Sequence, residues 1–378
     1  MRKAKLGLLM LVSLIICTGC WDVKEISDLA LVNLIGVDCD LECKEYTAYY
    51  QIVDPKGFSS DQGSAKGAVY TYAFTGASVG KLQEHSTTTL PRTLFTSHLH
   101  GYIISERFAR SGIHFLLNLA ELIPERRTNI PLLITDSSVS NVMNSYVPIE
   151  ILTGRHLRSL IDIQASNFKN KIYPIRMKDM SKRNNFFQPT IVPIISLSAE
   201  KPVSKVSDLE DIQGNKMSLA VTKGAVFVKS RMVGKVNNNT AKYFYILNNN
   251  QIIFGEKLEI NNGIVDVQAK ITSFKKRFTK SKKNPKLYIK AMAELRIMSN
   301  NQKKPLNIEN LKEIETTFNK KVEKESHLLF ELGKKNDWDV FGIQDVNQSA
   351  NKNWKKTNVI VKVNSEVMTT GETLDSYK

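Results

Sequence analysis

Four cysteines and six histidines are the residues of this chain whose types could carry nucleophilic or metal chemistry. Cys17-Thr18-Gly19-Cys20 follows a positively charged start (Arg2, Lys3, Lys5) and an apolar run from Leu6 to Ile16. A small residue before a cysteine, directly behind such a run, resembles a lipobox. In a lipobox, diacylglycerol is attached to the cysteine sulfur and the preceding peptide bond is cut, here between Gly19 and Cys20. The chemistry needs a thiol because its ionisable sulfur is the nucleophile. One departure is Cys17, three positions before Cys20, where a lipobox prefers Leu. The apolar run has eleven residues, short of the ~20 that a membrane-spanning helix needs, so it reads as the h-region of a signal peptide over residues 1–19. The alternatives are a secreted protein cut near Gly19 and an uncleaved anchor.

Cys39 and Cys43 lie in the polar turn Asp38-Cys-Asp-Leu-Glu-Cys-Lys44, between two strand-like runs. They can close a small disulfide or remain free thiols, since an extracytoplasmic location permits either. They do not form a zinc pattern, because no second Cys or His pair follows at finger spacing. His98-Leu99-His100, read within a strand over Thr96–Ile104, would present two imidazoles on one face. A catalytic zinc needs a third protein ligand and an open position, and His85 and His114 fall on predicted helices. No His-Glu-x-x-His, P-loop or Gly-x-Gly-x-x-Gly occurs. The residues therefore predict no catalytic group, no metal and no cofactor, and they assign no ligand-binding residue.

The elements that would carry these groups follow from composition and periodicity. The chain has 378 residues, 42% hydrophobic and 24% charged, with a net charge of +16. Those values suit a folded protein of two or three domains and exclude a polytopic membrane protein or a disordered one. The basic surplus would favour an anionic partner such as a lipid surface. The run Lys275–Lys283 reads as a solvated hairpin tip, since it lacks interleaved stacking aromatics beyond Phe278, and no nucleic-acid partner is predicted.

Leu29–Val37 is an apolar run suited to a strand buried on both faces. Tyr46–Val53 alternates with period two, and Val69–Phe74 is a third strand. Helices are predicted over Ser78–Thr89, over Glu106–Ile123 with Gly112 weakening its middle, and near 138–145 and 152–164. Pro131–Thr135 is another strand. A polar, Lys- and Ser-rich segment marks a linker at 198–217. Beyond it, Ser218–Val228 and Arg231–Val236 read as a hairpin, followed by strands at 251–260, 264–274, 286–297 and 359–367. Ile308, Leu311, Ile314, Phe318, Val322, Leu329 and Leu332 line one face of an amphipathic helix over 306–333, with Gly333 as its expected C-cap. The predicted class is α+β and multidomain, with mixed or antiparallel sheets each covered by helices. Its expected parts are the signal segment, an N-terminal domain at 20–197 open to subdivision, the linker, and a C-terminal domain at 218–378.

Several segments together resemble one family. Cys17-Thr-Gly-Cys-Trp-Asp-Val-Lys-Glu-Ile26 looks like the start of the Ger(x)C family of spore-germination lipoproteins, in which Gly-Cys-Trp-Asp opens the mature chain. Leu34–Asp38, Tyr50–Pro55, Phe95–Leu99 and Ile103–Gly112 are similar to its first strands and central strand-helix signature. Gly224-Ala-Val-Phe-Val-Lys-Ser-Arg-Met-Val-Gly234 resembles the opening of its C-terminal domain, while Asp339-Val-Phe-Gly342 and Gly371 echo its end. The Asn-rich 347–358 segment departs from a stretch that usually contains Pro-Trp; Trp354 stands nearest to that Trp. The resemblance implies a non-catalytic lipoprotein subunit of a nutrient germinant receptor. It would be anchored through Cys20 at the extracytoplasmic face of the spore inner membrane and assembled with two integral-membrane subunits, one of them transporter-like. The competing expectation, a solute-binding lipoprotein of an importer, would require two α/β lobes closing on a hinge around a cleft.

Overall fold

The computed structural model describes residues 25–54, 69–122, 128–145, 150, 152–166, 173–197, 219–248, 252–279, 285–346 and 353–369. Residues 1–19, Cys20 and the expected linker at 198–217 lie outside them.

β1 (Leu29–Cys39), β2 (Tyr46–Val53) and β3 (Val69–Gly76) form an antiparallel meander, followed by helical turns around α1 (Leu82–His85). β4 (Thr93–Phe95) and β5 (Gly101–Ser105) lead into α2 (Glu106–Ser111) and α3 (His114–Leu122). β6 (Pro131–Thr135) is followed by α4 (Val139–Met143) and α5 (Thr153–Ser166), and β7 (Ile175–Arg176) by α6 (Met177–Arg183). β8 (Thr190–Leu197), β9 (Leu219–Val228) and β10 (Arg231–Val236) complete a sheet of order β10-β9-β8-β6-β5-β1-β2-β3, with β4 beside β1 and β7 beside β6. The middle of this sheet is parallel: β1 with β5, β5 with β6, β6 with β8.

Parallel strands joined by helical crossovers are covered on both faces, and their sequences are apolar throughout. Every residue of β5 and of β6 is buried. Tyr102, Ile104, Leu132 and Ile134 face one core, closed by Phe108 of α2, Leu116 and Leu117 of α3 and Met180 of α6. Ile103 and Leu133 face the other, closed by Val142 of α4 and Leu157 and Ile161 of α5.

α7 (Asn238–Ile246) leads to the second sheet: β11 (Ile253–Ile260), β12 (Gly263–Phe278) and β13 (Lys286–Asn301) form an antiparallel meander. α8 (Ile308–Asn336) and the short α9 (Ile343–Val346) then return the chain to β14 (Asn358–Thr369), which lies parallel to β13. Ile314, Phe318, Val322 and Leu329 of α8 are buried against one face of this sheet, whereas Ile308 is 76% exposed. β14 is an edge strand, and an open edge invites foreign pairing. Glu323 and Glu315 of α8 close it, accepting from the Val363 N–H at 2.9 Å and the Val367 N–H at 2.8 Å. The architecture is α+β and multidomain, with two helix-covered sheets of different connectivity in place of two similar lobes.

Several elements differ from the sequence expectation. The expected helix over 106–123 is split at Gly112, whose φ of +113° is outside helical space. The expected strand over 96–104 is two pieces, because β4 pairs with the start of β1 and β5 with its second half, and a turn carries residues 96–100 from one position to the other. α8 runs three residues past Gly333. Asp337 ends it in the left-handed conformation (φ 62°), and the Asp337 and Trp338 N–H groups both return to the Gly333 carbonyl. Gly333 is small for a different reason: a Cβ there would lie 2.6 Å from the Trp338 carbonyl oxygen, so only glycine lets the chain fold back this closely. Finally, β9 and β10, expected to open the C-terminal domain, pair onto β8 and extend the first sheet.

Candidate functional site

After α8 the chain threads Trp338-Asp339-Val340-Phe341-Gly342 and α9 between the two sheets. The indole of Trp338 covers Gly234 of β10, where a Cβ would lie 2.2 Å from the ring. Asp345 of α9 reaches the segment before β8: its carboxylate accepts from the Phe187 N–H at 2.8 Å and the Gln188 N–H at 2.9 Å. Gln188 Nε2 donates to Asn248 Oδ1 at 2.7 Å, and Asn248 Nδ2 donates to the Val340 carbonyl at 3.0 Å. From β12, Lys276 Nζ donates to the same Asn248 oxygen at 2.6 Å and to the Phe341 carbonyl at 3.3 Å. Tyr245 of α7 donates to the Ile191 carbonyl of β8 at 2.8 Å. The two segments Gly224–Gly234 and Asp339–Gly342, which carried part of the sequence resemblance, thus meet at one junction.

Its electrostatics follow from enclosure. The Lys276 ammonium sits 5.6 Å from the centroids of both Phe274 and Phe341. Desolvation lowers its pKa to about 8, with the charge of Asp339 opposing the shift. Asp339 is 1% exposed, and burial raises its carboxyl pKa. Its Oδ2 accepts from the Gln344 N–H at 2.6 Å, while Oδ1 has no partner among the described residues. A cavity of about 550 Å³ opens beside the junction, lined by Phe187, Val228, Gln344, Trp354 and Lys356. Trp354 itself is 5% exposed and packs edge-on against Phe330 at 6.4 Å. This set of groups holds backbone to backbone across the two sheets; it presents no nucleophile with a base beside it.

A second buried network ties α7, β11 and α8 together. Glu256 Oε2 accepts from Lys242 Nζ at 2.7 Å and from the Tyr243 hydroxyl at 2.8 Å, and Oε1 pairs with Lys321 at 3.0 Å. Burial pushes the Glu256 pKa up, but the Lys242 charge and the hydrogen bonds from Lys242, Lys321 and Tyr243 outweigh it and leave the group below its ordinary range.

The sequence-predicted groups are scattered. Gly19 and Cys20 lie outside the described residues. Cys39 and Cys43 are brought together at the β1–β2 turn, with Cα atoms 4.9 Å apart and their sulfurs adjacent. His98 and His100 sit in a turn and not on one face of a strand; His98 is exposed and stacks by Phe95. His100 is partly enclosed, and desolvation with Arg158 and Arg155 nearby lowers its pKa. No group of three His, Cys, Asp or Glu side chains among the described residues is arranged to hold a metal. The pattern Gly-x-Ser-x-Gly occurs at Gly76-Ala-Ser-Val-Gly80. Ser78 there is extended (φ −140°), at the exit of an edge strand, and no imidazole hydrogen-bonds it among the described residues. A nucleophile elbow needs a strained turn and a paired base, so the match carries no chemistry. The run from Lys275 also begins inside β12 and not at a hairpin tip: Lys275, Lys276 and Arg277 are all exposed, and the Lys276 ammonium alone of the three reaches back to Asn248 and Phe341 at the junction. The junction itself escaped sequence reasoning apart from its glycines and the Asp339–Gly342 motif.

Comparison with known proteins gives the context. Residues 22–197 match the spore germination protein N-terminal domain, and residues 222–371 match the spore germination B3/GerAC-like C-terminal domain. Spore germination protein KC of Bacillus subtilis (strain 168) is 26% identical over 200 residues, 51% of this chain and 48% of that protein. The putative spore germination protein YfkR of the same organism is 26% identical over 223 residues, 58% of this chain and 54% of that protein. The matches span about half the length of these relatives. The crystal structure of the GerBC protein superposes with a TM-score of 0.51 over 92% of this chain and 100% of that one, at 11% identity, which shows a shared fold. With the N- and C-terminal germination domains matched in order and the GerBC fold shared along almost the whole chain, the chain belongs to the Ger(x)C family of spore germination proteins.

Proposed function

We propose that this chain is the non-catalytic, lipid-anchored subunit of a nutrient germinant receptor. In this reading it is held at the extracytoplasmic face of the spore inner membrane by a diacylglyceryl group on Cys20, after cleavage behind Gly19. It assembles there with integral-membrane subunits, one of them transporter-like. The observation that carries the reading is the tandem of germination domains at 22–197 and 222–371, the first beginning two residues after Cys20. No helix among the described residues is long and apolar enough to cross a membrane, so in this reading attachment falls to Cys20. Two acyl chains on one residue suffice for stable anchoring. The junction suits a coupling subunit, because it ties together residues up to 158 positions apart through hydrogen bonds between side chains and backbone. We further propose that Cys39 and Cys43 form a disulfide that closes the β1–β2 turn.

Cys20→Ala tests the anchor: the variant should accumulate as precursor or leave the membrane fraction, with germination lost. A mature-length, membrane-bound and functional variant would overturn it. Receptor subunits should co-purify with the wild-type chain from spore membranes, and their absence would remove the receptor assignment. Alkylation of Cys39 and Cys43 should require prior reduction.

A further inference from the structure

Among the described residues no element covers the other face of the second sheet, and at one end of that face the charges are all positive. Side chains of β13 that point away from α8 pair with outward residues of β12 and β14. In one rung Lys290 lies opposite Lys275 and Lys362; in the next, Tyr288 lies opposite Arg277 and Ile360. Lys275, Arg277, Lys290 and Lys362 are exposed, and none has a carboxylate partner among the described residues. Further along the same face the pattern changes, with Lys270 facing Glu294 at 3.8 Å. Like charges directly opposite one another on neighbouring strands destabilise a sheet. The row therefore does nothing for the isolated fold and fits an external negative surface. Tyr288 and Met292, 39% and 49% exposed, stand among the cations.

We propose that this face is a membrane-docking surface, which lays the second sheet against anionic lipid headgroups. A flat array of cations interspersed with an amphipathic ring and an apolar side chain suits the headgroup plane, where Lys and Arg meet negative potential and Tyr sits at the polar boundary. The proposal rests on the membrane location argued above. It is tested without the acyl anchor, so that either can fail alone.

The described strand pairs and core clusters lie within residues 25–369, so an unacylated chain from Trp21 onward keeps them. That chain should co-sediment with vesicles of phosphatidylcholine mixed with phosphatidylglycerol, and not with phosphatidylcholine alone, in a salt-sensitive manner. Combining Lys275→Gln, Lys290→Gln and Lys362→Gln should weaken the partition about tenfold or more, with an unchanged or higher melting temperature. Lys312→Gln, Lys320→Gln and Lys324→Gln remove the same charge from the exposed side of α8, beyond the opposite face, and should leave binding nearly intact. Equal losses in the two triple variants would reduce the effect to net charge and overturn the proposal. Absence of vesicle binding together with loss of receptor co-purification in the first variant would assign the row to an acidic protein surface instead.

Discussion

Ile103 and Ile104 of the first sheet are both fully buried, though they point to opposite faces, whereas in the second sheet Ile289 is buried and its neighbour Lys290 is in solvent. The middle of the first sheet is a closed slab between two helical layers, joined by parallel crossovers. The second is a three-stranded meander with a parallel β14 added and one helical layer, and its free face carries the unpaired lysines. A sheet covered on both sides can only be scaffold, so new contacts fall to its edges and loops. A sheet covered on one side has a face left for partners. The junction through Asp339–Gly342 locks the two together.

Substitutions at adjacent positions break this comparison most directly. Ile103→Ala and Ile104→Ala should each cost about 2–5 kcal/mol. In the second sheet Phe318→Ala should cost about 3–5 kcal/mol, but Met292→Ala, on the free face, should stay within about 0.5 kcal/mol. Denaturant midpoints check all four. A cheap Ile103→Ala or an expensive Met292→Ala would erase the distinction between the sheets.

Next in size is Glu256→Gln, which leaves Lys242 buried beside a neutral partner and should cost about 3 kcal/mol. Its pH dependence has a definite sign. The folded pKa lies below the ordinary 4.5, so the carboxylate's contribution is whole above that value and is lost as pH falls through the folded one. Thermal melts should show the gap between wild type and variant narrowing on acidification. A constant gap would mean that the network acts through packing and not through charge.

Gly234→Ala forces its methyl into the Trp338 ring and should cost about 1–3 kcal/mol. Pairing it with Trp338→Leu sharpens the test. If the junction couples the sheets through this contact, the double variant should lose less than the sum of the single losses; strict additivity would place the strain elsewhere. The smallest effect belongs to the edge. Glu315→Ala and Glu323→Ala should each cost about 1 kcal/mol for a lost charge-assisted bond. Together they should raise self-association of the chain in sedimentation runs, since they uncover β14.

Much of the second sheet was legible in advance. Its strands alternate with period two because one face is wet, and the α8 stripe names its own buried side. The first sheet was harder to read. Thr190–Leu197 went unassigned, and Pro193 within it is a residue that central strands seldom hold. Asn238–Ile246 also went unassigned, since Ala241 to Ile246 are all buried and a helix enclosed on every side has no amphipathic period to detect. The candidate site was visible only as fragments. Gly234 and Asp339–Gly342 could be read as motifs, but Gln188, Asn248 and Lys276 are ordinary polar residues until the fold brings them together.

By itself, then, the amino-acid order determined the lipobox-like start, the apolar runs, the long amphipathic helix, the α+β class and the family signature. These are local patterns, set by side-chain types within a few residues of one another. Only the tertiary structure decided that β9 and β10 join the first sheet, that Gly333 makes room for a returning chain, and that three lysines from three strands stand side by side. Each of those depends on the pairing of distant segments, which local periodicity does not encode. Period two shows that a strand has a wet face, but register alone sets which residues share it.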